Sequence, residues 1–346
     1  MKQAWTGGYS RGMDAATART LLRTAEDARL KMRGFDSVAA VGEVELQYPD
    51  MLVALDWYLD AGQPDLAFRL ATALVPFWMT TKRIEDGHRW FDRALAPGAA
   101  SRPARALYDH GYLIFWGGRY ELADERFAEA RAHPDAADDP NLVALILAGS
   151  ARVALNNDIE TAVRLLREAL EATEGTTSSD GRSSAMHVLG VALQMSGDLE
   201  GARDVMSERI EMARESGNEF VIWVESANLS MVERQLGHFA EAEALSRAAL
   251  RIVSDRGDQL AIPWVLNGLA AVTAAKGDHE RAATLLGMAE AFLERAGGEW
   301  PPDERQQHAG TVVVLSDALE PTALTRARER GAAMTTGEGV AYALGA

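Results

Sequence analysis

Gly197-Asp198-Leu199-Glu200-Gly201-Ala202 has four counterparts elsewhere in this chain. Upstream they read Asn157-Asp158-Ile159-Glu160-Thr161-Ala162 and Gly118-Arg119-Tyr120-Glu121-Leu122-Ala123. Downstream they read Gly237-His238-Phe239-Ala240-Glu241-Ala242 and Gly277-Asp278-His279-Glu280-Arg281-Ala282. Successive copies lie 39, 40, 40 and 40 residues apart. A fixed period in this range marks stacked helical repeats, each too small to bury its apolar face without a neighbour. Each copy predicts a turn between two helices. The first helices are expected over 104–117, 141–156, 182–196, 219–236 and 259–276, and the second over 120–132, 159–174, 199–215, 239–255 and 279–296. Asn157 stands where the others have Gly and is expected to keep the same left-handed backbone, which Asn tolerates better than most residues.

Fixed columns accompany the turns. Five residues after each sits Ala123, Ala162, Ala202, Ala242 and Ala282, a position for a close helix crossing. Seven before lie Gly111, Ser150, Gly190, Ser230 and Ala270, small for the same reason. Two after lie Tyr120, Ile159, Leu199, Phe239 and His279, of which His279 fits the apolar column least.

The spacing of small residue, Gly-Asp turn and Ala resembles the tetratricopeptide repeat, lengthened from its usual 34 residues to about 40. The longer form is similar to the helical sensor region of large bacterial signal-transduction ATPase regulators of the LuxR and SARP type. Met32-Arg33-Gly34 through Pro49-Asp50-Met51-Leu52-Val53-Ala54-Leu55-Asp56-Trp57, Leu66 to Ala71 and Gly87-His88-Arg89-Trp90-Phe91 resemble the start of that region. Ala283 to Gly287, Trp300 to Arg305 and Gly337 to Leu344 resemble its end, so the likeness covers about residues 20–345. It implies a sensor that takes a small molecule or a protein as its input. The family's ATPase and DNA-binding modules are not expected within these residues: no Gly-x-x-x-x-Gly-Lys-[Ser/Thr] loop occurs, and the stretch ahead of residue 14 is too short to hold either.

The expected fold is all-α, a right-handed solenoid of tetratricopeptide type closed by a helical C-terminal cap. Residues 1–13 form a flexible lead-in, 14–100 helical repeats of irregular period, 101–298 five regular helix pairs and 299–346 the cap. In the irregular part, a helix capped by Asp14 carries Leu21, Leu22, Ala25, Ala28 and Met32 on one face and breaks at Gly34-Phe35-Asp36. A second starts near Val38, Pro49-Asp50 opens or kinks a third, and Gly62-Gln63-Pro64 turns into an apolar stripe ending near Trp78. Another amphipathic helix covers 83–95.

Composition narrows the function classes. Of the 346 residues 47% are apolar and 25% charged, ordinary values for a globular protein. None is cysteine, which excludes disulfides, thiolate metal sites and thiol nucleophiles. The formal charge of −16 argues against direct nucleic-acid binding, which needs clustered Lys and Arg. No secretory leader or long apolar run appears, so a cytoplasmic protein without membrane contact is expected. No metal or cofactor motif occurs; neither does a His-Glu-x-x-His or Gly-x-Ser-x-Gly pattern.

A site is expected on the inner, concave face of the first helices. Helical spacing assigns to it Arg105, Tyr108, Tyr112, Phe115 and Trp116, then Ala144, Leu147, Ala151, Ala154 and Leu155, then Ser184, His187, Val191, Gln194 and Met195. Val224, Ala227, Met231, Arg234 and Gln235 follow, and Trp264, Asn267, Ala271, Ala274 and Ala275 complete it. Aromatic, small and isolated polar residues fit a pocket for a largely apolar small molecule. The alternatives are that tight winding or the cap turns the face into core, or that it docks a protein partner. Ligand contacts are expected from Arg105, Tyr108, Tyr112, Trp116, His187, Gln194, Met231, Arg234, Trp264 and Asn267. If the protein is an unusual enzyme acting on an apolar metabolite, His187 is the catalytic candidate; otherwise it is a histidine bonded to a neighbouring helix. Trp223 and Trp264 are expected to close gaps between repeats.

Overall fold

A computed structural model describes residues 12–32, 37–99, 101–176, 180–300 and 302–345. Residues 1–11 of the expected lead-in and the expected break at 34–36 lie outside the described residues. The described residues form α-helices α1 (Ala15–Lys31), α2 (Ser37–Asp60), α3 (Pro64–Thr80), α4 (Ile84–Ala94), α5 (Ala104–Trp116), α6 (Tyr120–Ala132), α7 (Pro140–Ala154), α8 (Ile159–Ala172) and α9 (Asp180–Ser196). They continue through α10 (Leu199–Ser216), α11 (Glu219–Gln235), α12 (Phe239–Asp255), α13 (Ala261–Ala275), α14 (His279–Arg295), α15 (Pro302–Ala318), α16 (Pro321–Ala332) and α17 (Thr336–Leu344). A short 3-10 turn, Pro134–Ala136, precedes α7. All ten helices expected in the regular region are present, with ends shifted by at most two residues. The chain divides into two compact units, Met1–Leu189 and Gly190–Ala346.

The repeated turn works through two local effects. Gly118, Gly197, Gly237 and Gly277 have φ of 77°, 86°, 85° and 87°, a region that side chains disfavour and that ends the first helix. The following residue then bonds back five positions, as in Asp198 N–H to Leu193 O at 2.9 Å. Where that residue is Asp it also caps the second helix: the Asp198 carboxylate accepts from Gly201 N–H at 3.0 Å, and Asp158 accepts from Thr161 N–H at 2.9 Å. One turn departs from expectation. Asn157 does not adopt a positive φ; there the loop closes by a shorter bond, Asp158 N–H to Ala154 O at 2.7 Å, which needs no left-handed residue.

The small columns are crossing points. Ala123, Ala162, Ala202, Ala242 and Ala282 have no exposed surface. A Cβ on Gly111 would stand 2.8 Å from the Phe127 ring, and one on Gly190 2.8 Å from Met206. Ser230 uses its hydroxyl instead, bonding Ala242 O at 2.8 Å and Ser246 Oγ at 2.7 Å.

Unit 1 holds a core running from Ala18 to Ile146. Its α2 passes through Pro49 as one helix, so Pro49 neither opens a new helix nor ends one. The pair α3–α4 keeps the regular register although its turn has no glycine. Lys82 takes the positive φ, 57°, and Arg83 N–H bonds back to Trp78 O at 2.8 Å. Gly87 fills the Ala column, because a Cβ there would lie 2.5 Å from Trp78.

Unit 2 holds a second core from Trp223 to Ala343. Beyond its last regular pair, α15 packs on α13, and α16 packs closely on α14. At that second crossing a Cβ on Gly331 would fall 2.0 Å from Thr284 O, and one on Gly287 2.2 Å from Arg328 O. Arg281 donates to the carbonyls of Tyr342 and Ala343 at 3.0 and 3.1 Å, tying down the end of α17.

Candidate functional site

In unit 1 the first-helix face is formed by α3, α5, α7 and the first half of α9. Tyr108, Tyr112 and Trp116 follow at intervals of four on α5, which stacks them along one side of the helix. The Tyr108 and Tyr112 rings lie 6.0 Å apart at 25°, and Trp116 meets Tyr112 edge-on at 6.2 Å. Burial grades along this ladder: Tyr108 is buried, Tyr112 half-buried, and Trp116 51% exposed. Two guanidinium groups flank it, Arg105 over Tyr108 and Arg152 over Tyr112, each 5.7 Å from the ring centre.

Beneath the ladder lies a polar network. Asp109, 2% exposed, accepts from Arg105 Nε at 3.0 and 3.1 Å and from the Thr72 hydroxyl at 2.5 Å. Burial works against the Arg105 charge, but Asp109, Tyr108 and Asp180 outweigh it and hold the group above its ordinary pKa. Asp180, at the start of α9, also pairs with Arg29 of α1 at 4.0 Å. Arg152 donates to Ser184 Oγ at 3.0 Å and to Ala148 O at 3.4 Å, and among the described residues it has no carboxylate partner. Burial raises the pKa of Tyr108, which therefore stays a neutral phenol. His187 is half-buried on α9, one turn beyond Ser184.

The first-helix face of unit 2 behaves differently along its length. Gln194, Met231, Arg234 and Trp264 are half-buried, and Met195 is exposed. Asn267 is fully buried under α15, donating to Glu304 O at 3.1 Å and to its carboxylate at 2.6 Å. Ala271 and Ala274 are buried as well. At α13, then, part of the expected site is packing surface. Trp264 packs against the core of unit 2 and Trp223 is buried within it.

Several polar residues that inner-face spacing does not select are visible when the repeats are aligned position by position. Five residues before each turn stand Leu113, Arg152, Ala192, Val232 and Val272, so Arg152 replaces a buried apolar side chain. Twelve after stand Ala130, Ala169, Arg209, Ala249 and Ala289; twelve before stand Ala106, Leu145, Ala185, Glu225 and Val265. Arg209 and Glu225 break both columns and form a buried ion pair with each other. Eight before stand His110, Gly149, Leu189, Leu229 and Leu269. His110 is fully buried, its Nε2 lies 2.9 Å from His88 Nδ1, and Phe91 stacks on it at 5.8 Å. Burial, with Arg126, His88 and Arg119 nearby, pushes its pKa down to about 3, so it is a neutral packing residue. No group of three or more His, Asp or Glu able to hold a metal occurs among the described residues. No described helix is long and apolar enough to cross a membrane.

The tetratricopeptide-repeat family model matches residues 220–295, the span of α11 to α14. No curated protein matches the sequence. Among solved structures, a Rap protein complexed with competence and sporulation factor superposes with a TM-score of 0.58 at 14% identity, covering 90% of this chain and 88% of that one. NprR in complex with its cognate peptide NprX gives 0.50 at 14%, covering 85% and 82%. A signal transduction ATPase with a tetratricopeptide-repeat sensor from Pyrococcus horikoshii gives 0.53 at 12%, covering 92% of this chain and 52% of that one. At such identities the likeness is one of fold: an all-α helical array of tetratricopeptide-repeat type.

Proposed function

We propose that the chain is a non-enzymatic, regulatory binding module that holds a short segment of a partner protein on the first-helix face of unit 1. The observation that carries this reading is the Tyr108–Tyr112–Trp116 ladder with Arg152 beside it. A half-exposed aromatic edge and a guanidinium without a carboxylate partner are standard anchors at protein interfaces, where Trp, Tyr and Arg carry most of the energy. Arg152 also replaces an apolar residue that the repeat packing itself accommodates, so packing gives no reason for the charge. Arg152, half-buried over Tyr112 and without a carboxylate among the described residues, is the group that a carboxylate on the partner would meet, next to rings that take an apolar side chain. Support from the fold comes from neighbours solved in complex with competence and sporulation factor or with a cognate peptide. The same reading places the chain near the sensor regions of LuxR- and SARP-type regulators and in the cytoplasm.

A peptide array probes this directly, with eight-residue sequences varied in acidic and aromatic content. Peptides pairing Asp or Glu with an aromatic or branched residue should be retained, and Arg152→Leu or Tyr112→Ala should each weaken that retention at least about tenfold, the loss of one charged or aromatic anchor. Retention indifferent to both substitutions, or favouring basic peptides, refutes the reading.

A second reading, a largely apolar small molecule, is favoured by one observation in unit 2. There α11 presents the half-buried Met231 and Ala227 rather than an aromatic ladder.

A further inference from the structure

Arg234 is an anomaly in an acidic protein. It sits in the last turn of α11, half-buried, and its Nε is buried without a hydrogen-bond partner. Among the described residues no side chain bonds it and no carboxylate pairs with it. The nearest acidic residue in sequence, Glu233, is buried and occupied by His238 Nδ1 at 2.7 Å. Glu243 on α12 is held by Lys276 and Arg247. Burial lowers the Arg234 pKa, and no charge nearby opposes that shift. Met231 lies one turn back on α11, and α13, packed beside α11, carries Ala271, Ala274 and Ala275 where the first regular repeat has Tyr112, Phe115 and Trp116.

A guanidinium partly removed from water with nothing to neutralise it is destabilising for the fold, and such groups normally acquire a partner. The buried polar groups described above have such partners inside the protein: Glu225 has Arg209, Asn267 has Glu304, and Asp109 has Arg105 and Thr72, whereas half-buried Arg152 has only a hydroxyl and a carbonyl. We infer that Arg234 anchors the carboxylate of a small organic acid whose apolar body lies over Met231. One guanidinium balances one negative charge and meets a carboxylate through two parallel bonds. Partial burial disfavours the second charge of a phosphate monoester. The inference extends the small-molecule reading to unit 2 and its chemistry, and is independent of the peptide reading for unit 1.

The test uses the full chain and matched probes: octanoate, decanoate, phenylbutyrate and their primary amides, followed by calorimetry. At least one acid should bind the wild type ten- to a hundredfold more tightly than its amide, roughly what a charge-assisted bond between buried partners contributes. Arg234→Gln should abolish that preference. Arg234→Met should raise the melting temperature of the ligand-free protein, because it removes an unpaired charge. Arg152→Leu should leave acid binding unchanged, which separates this site from the one in unit 1. The inference is overturned if acids and amides bind alike, if no acid binds, or if the preference survives Arg234→Gln. A lowered melting temperature in Arg234→Met also overturns it, since that assigns the charge a structural role. Finally, a peptide whose free C-terminus outcompetes every acid, with its amidated form inert, would overturn the small-acid assignment in favour of a peptide end.

Discussion

Removing either half of the Arg209–Glu225 pair should destabilise unit 2, and removing both halves should not. Arg209 is 8% exposed and Glu225 has no exposed surface, in columns where the other repeats carry Ala, Leu or Val. An apolar pair therefore fits the same two positions. Breaking a buried pair by deleting one partner strands the other charge and costs about 3–5 kcal/mol, whereas replacing both with apolar groups of similar volume is often neutral or stabilising. The two single substitutions should differ. Glu225 is too short to reach water from α11, but Arg209 has a long stem along which its head can be carried outward. Arg209→Met, which strands the glutamate, should therefore cost the larger part of that range, and Glu225→Leu less. For a unit of this size the larger loss corresponds to a fall of roughly 6–20 °C in melting temperature. The double variant should lie within about 1 kcal/mol of the wild type, or above it.

Urea unfolding of the four proteins, followed by circular dichroism, gives the coupling free energy as a double-mutant cycle. A coupling of about 2 kcal/mol or more is expected between the two positions. Arg209→Met costing under about 1 kcal/mol, the value of an exposed pair, would show that the pair is solvated and the reasoning wrong. The same conclusion follows if the double variant is no more stable than the weaker single one.

Three further substitutions probe packing. His110 stays neutral in the folded protein down to about pH 3, whereas the unfolded chain takes up a proton near the ordinary value of 6.5. Between those values the unfolded state binds more protons, so stability falls as the pH drops, by up to about 1.4 kcal/mol per unit. His110→Leu, which matches the residue of three other repeats, should flatten that limb in a pH series of denaturation midpoints; an unchanged slope would remove His110 as its source. At the α14–α16 crossing, Gly331→Ala and Gly287→Ala drive a methyl into backbone atoms that cannot rotate away, with Cβ only 2.0 and 2.2 Å from the opposing carbonyl oxygens. Each should cost about 1–3 kcal/mol and expose residues 302–345 to limited proteolysis, and an unaltered cleavage pattern would contradict the close crossing.

The array was legible because its punctuation is local. A left-handed Gly followed by an Asp cap can be read from six residues, and the Ala column repeats with it. Two turns, one misread and one not read at all, were hidden for the same local reason. Asn157 closes by a different bond, and Lys82 adopts a left-handed backbone that nothing in its own side chain announces. Pro49 looked like a boundary because Pro lacks the N–H that helix interiors use, yet α2 runs through it. The site was legible only in part. Spacing selected Tyr108, Tyr112, Trp116 and Arg234, but it passed over Arg152 and Asp109 and selected Asn267, which α15 covers. Thr72 and Asp109 are 37 residues apart, and Arg209 and Glu225 are 16 apart. Partnerships at such distances leave no trace in a count of apolar periodicity.

They do leave a trace in the columns. A repeat protein supplies its own control, since each position occurs several times in nearly the same surroundings. Where the other four repeats are apolar at a position, as for Arg152, Arg209, Glu225 and His110, a polar residue is an exception that needs a cause; Asp109 shares its column with Asn228 and Arg234 with Gln194. The causes separate by whether a partner answers the exception. Arg209 is answered by Glu225 in unit 2, and in unit 1 His110 is answered by His88 and Asp109 by Arg105 and Thr72. These specify which helix faces which, and their loss should be seen in stability. Arg152 is answered only by a hydroxyl and a carbonyl, and Arg234 by nothing among the described residues. For those two, stability should hold or rise when the charge is removed, and the loss should fall on binding. Opposite signs in one melting experiment thus distinguish residues kept for the fold from residues kept for a ligand.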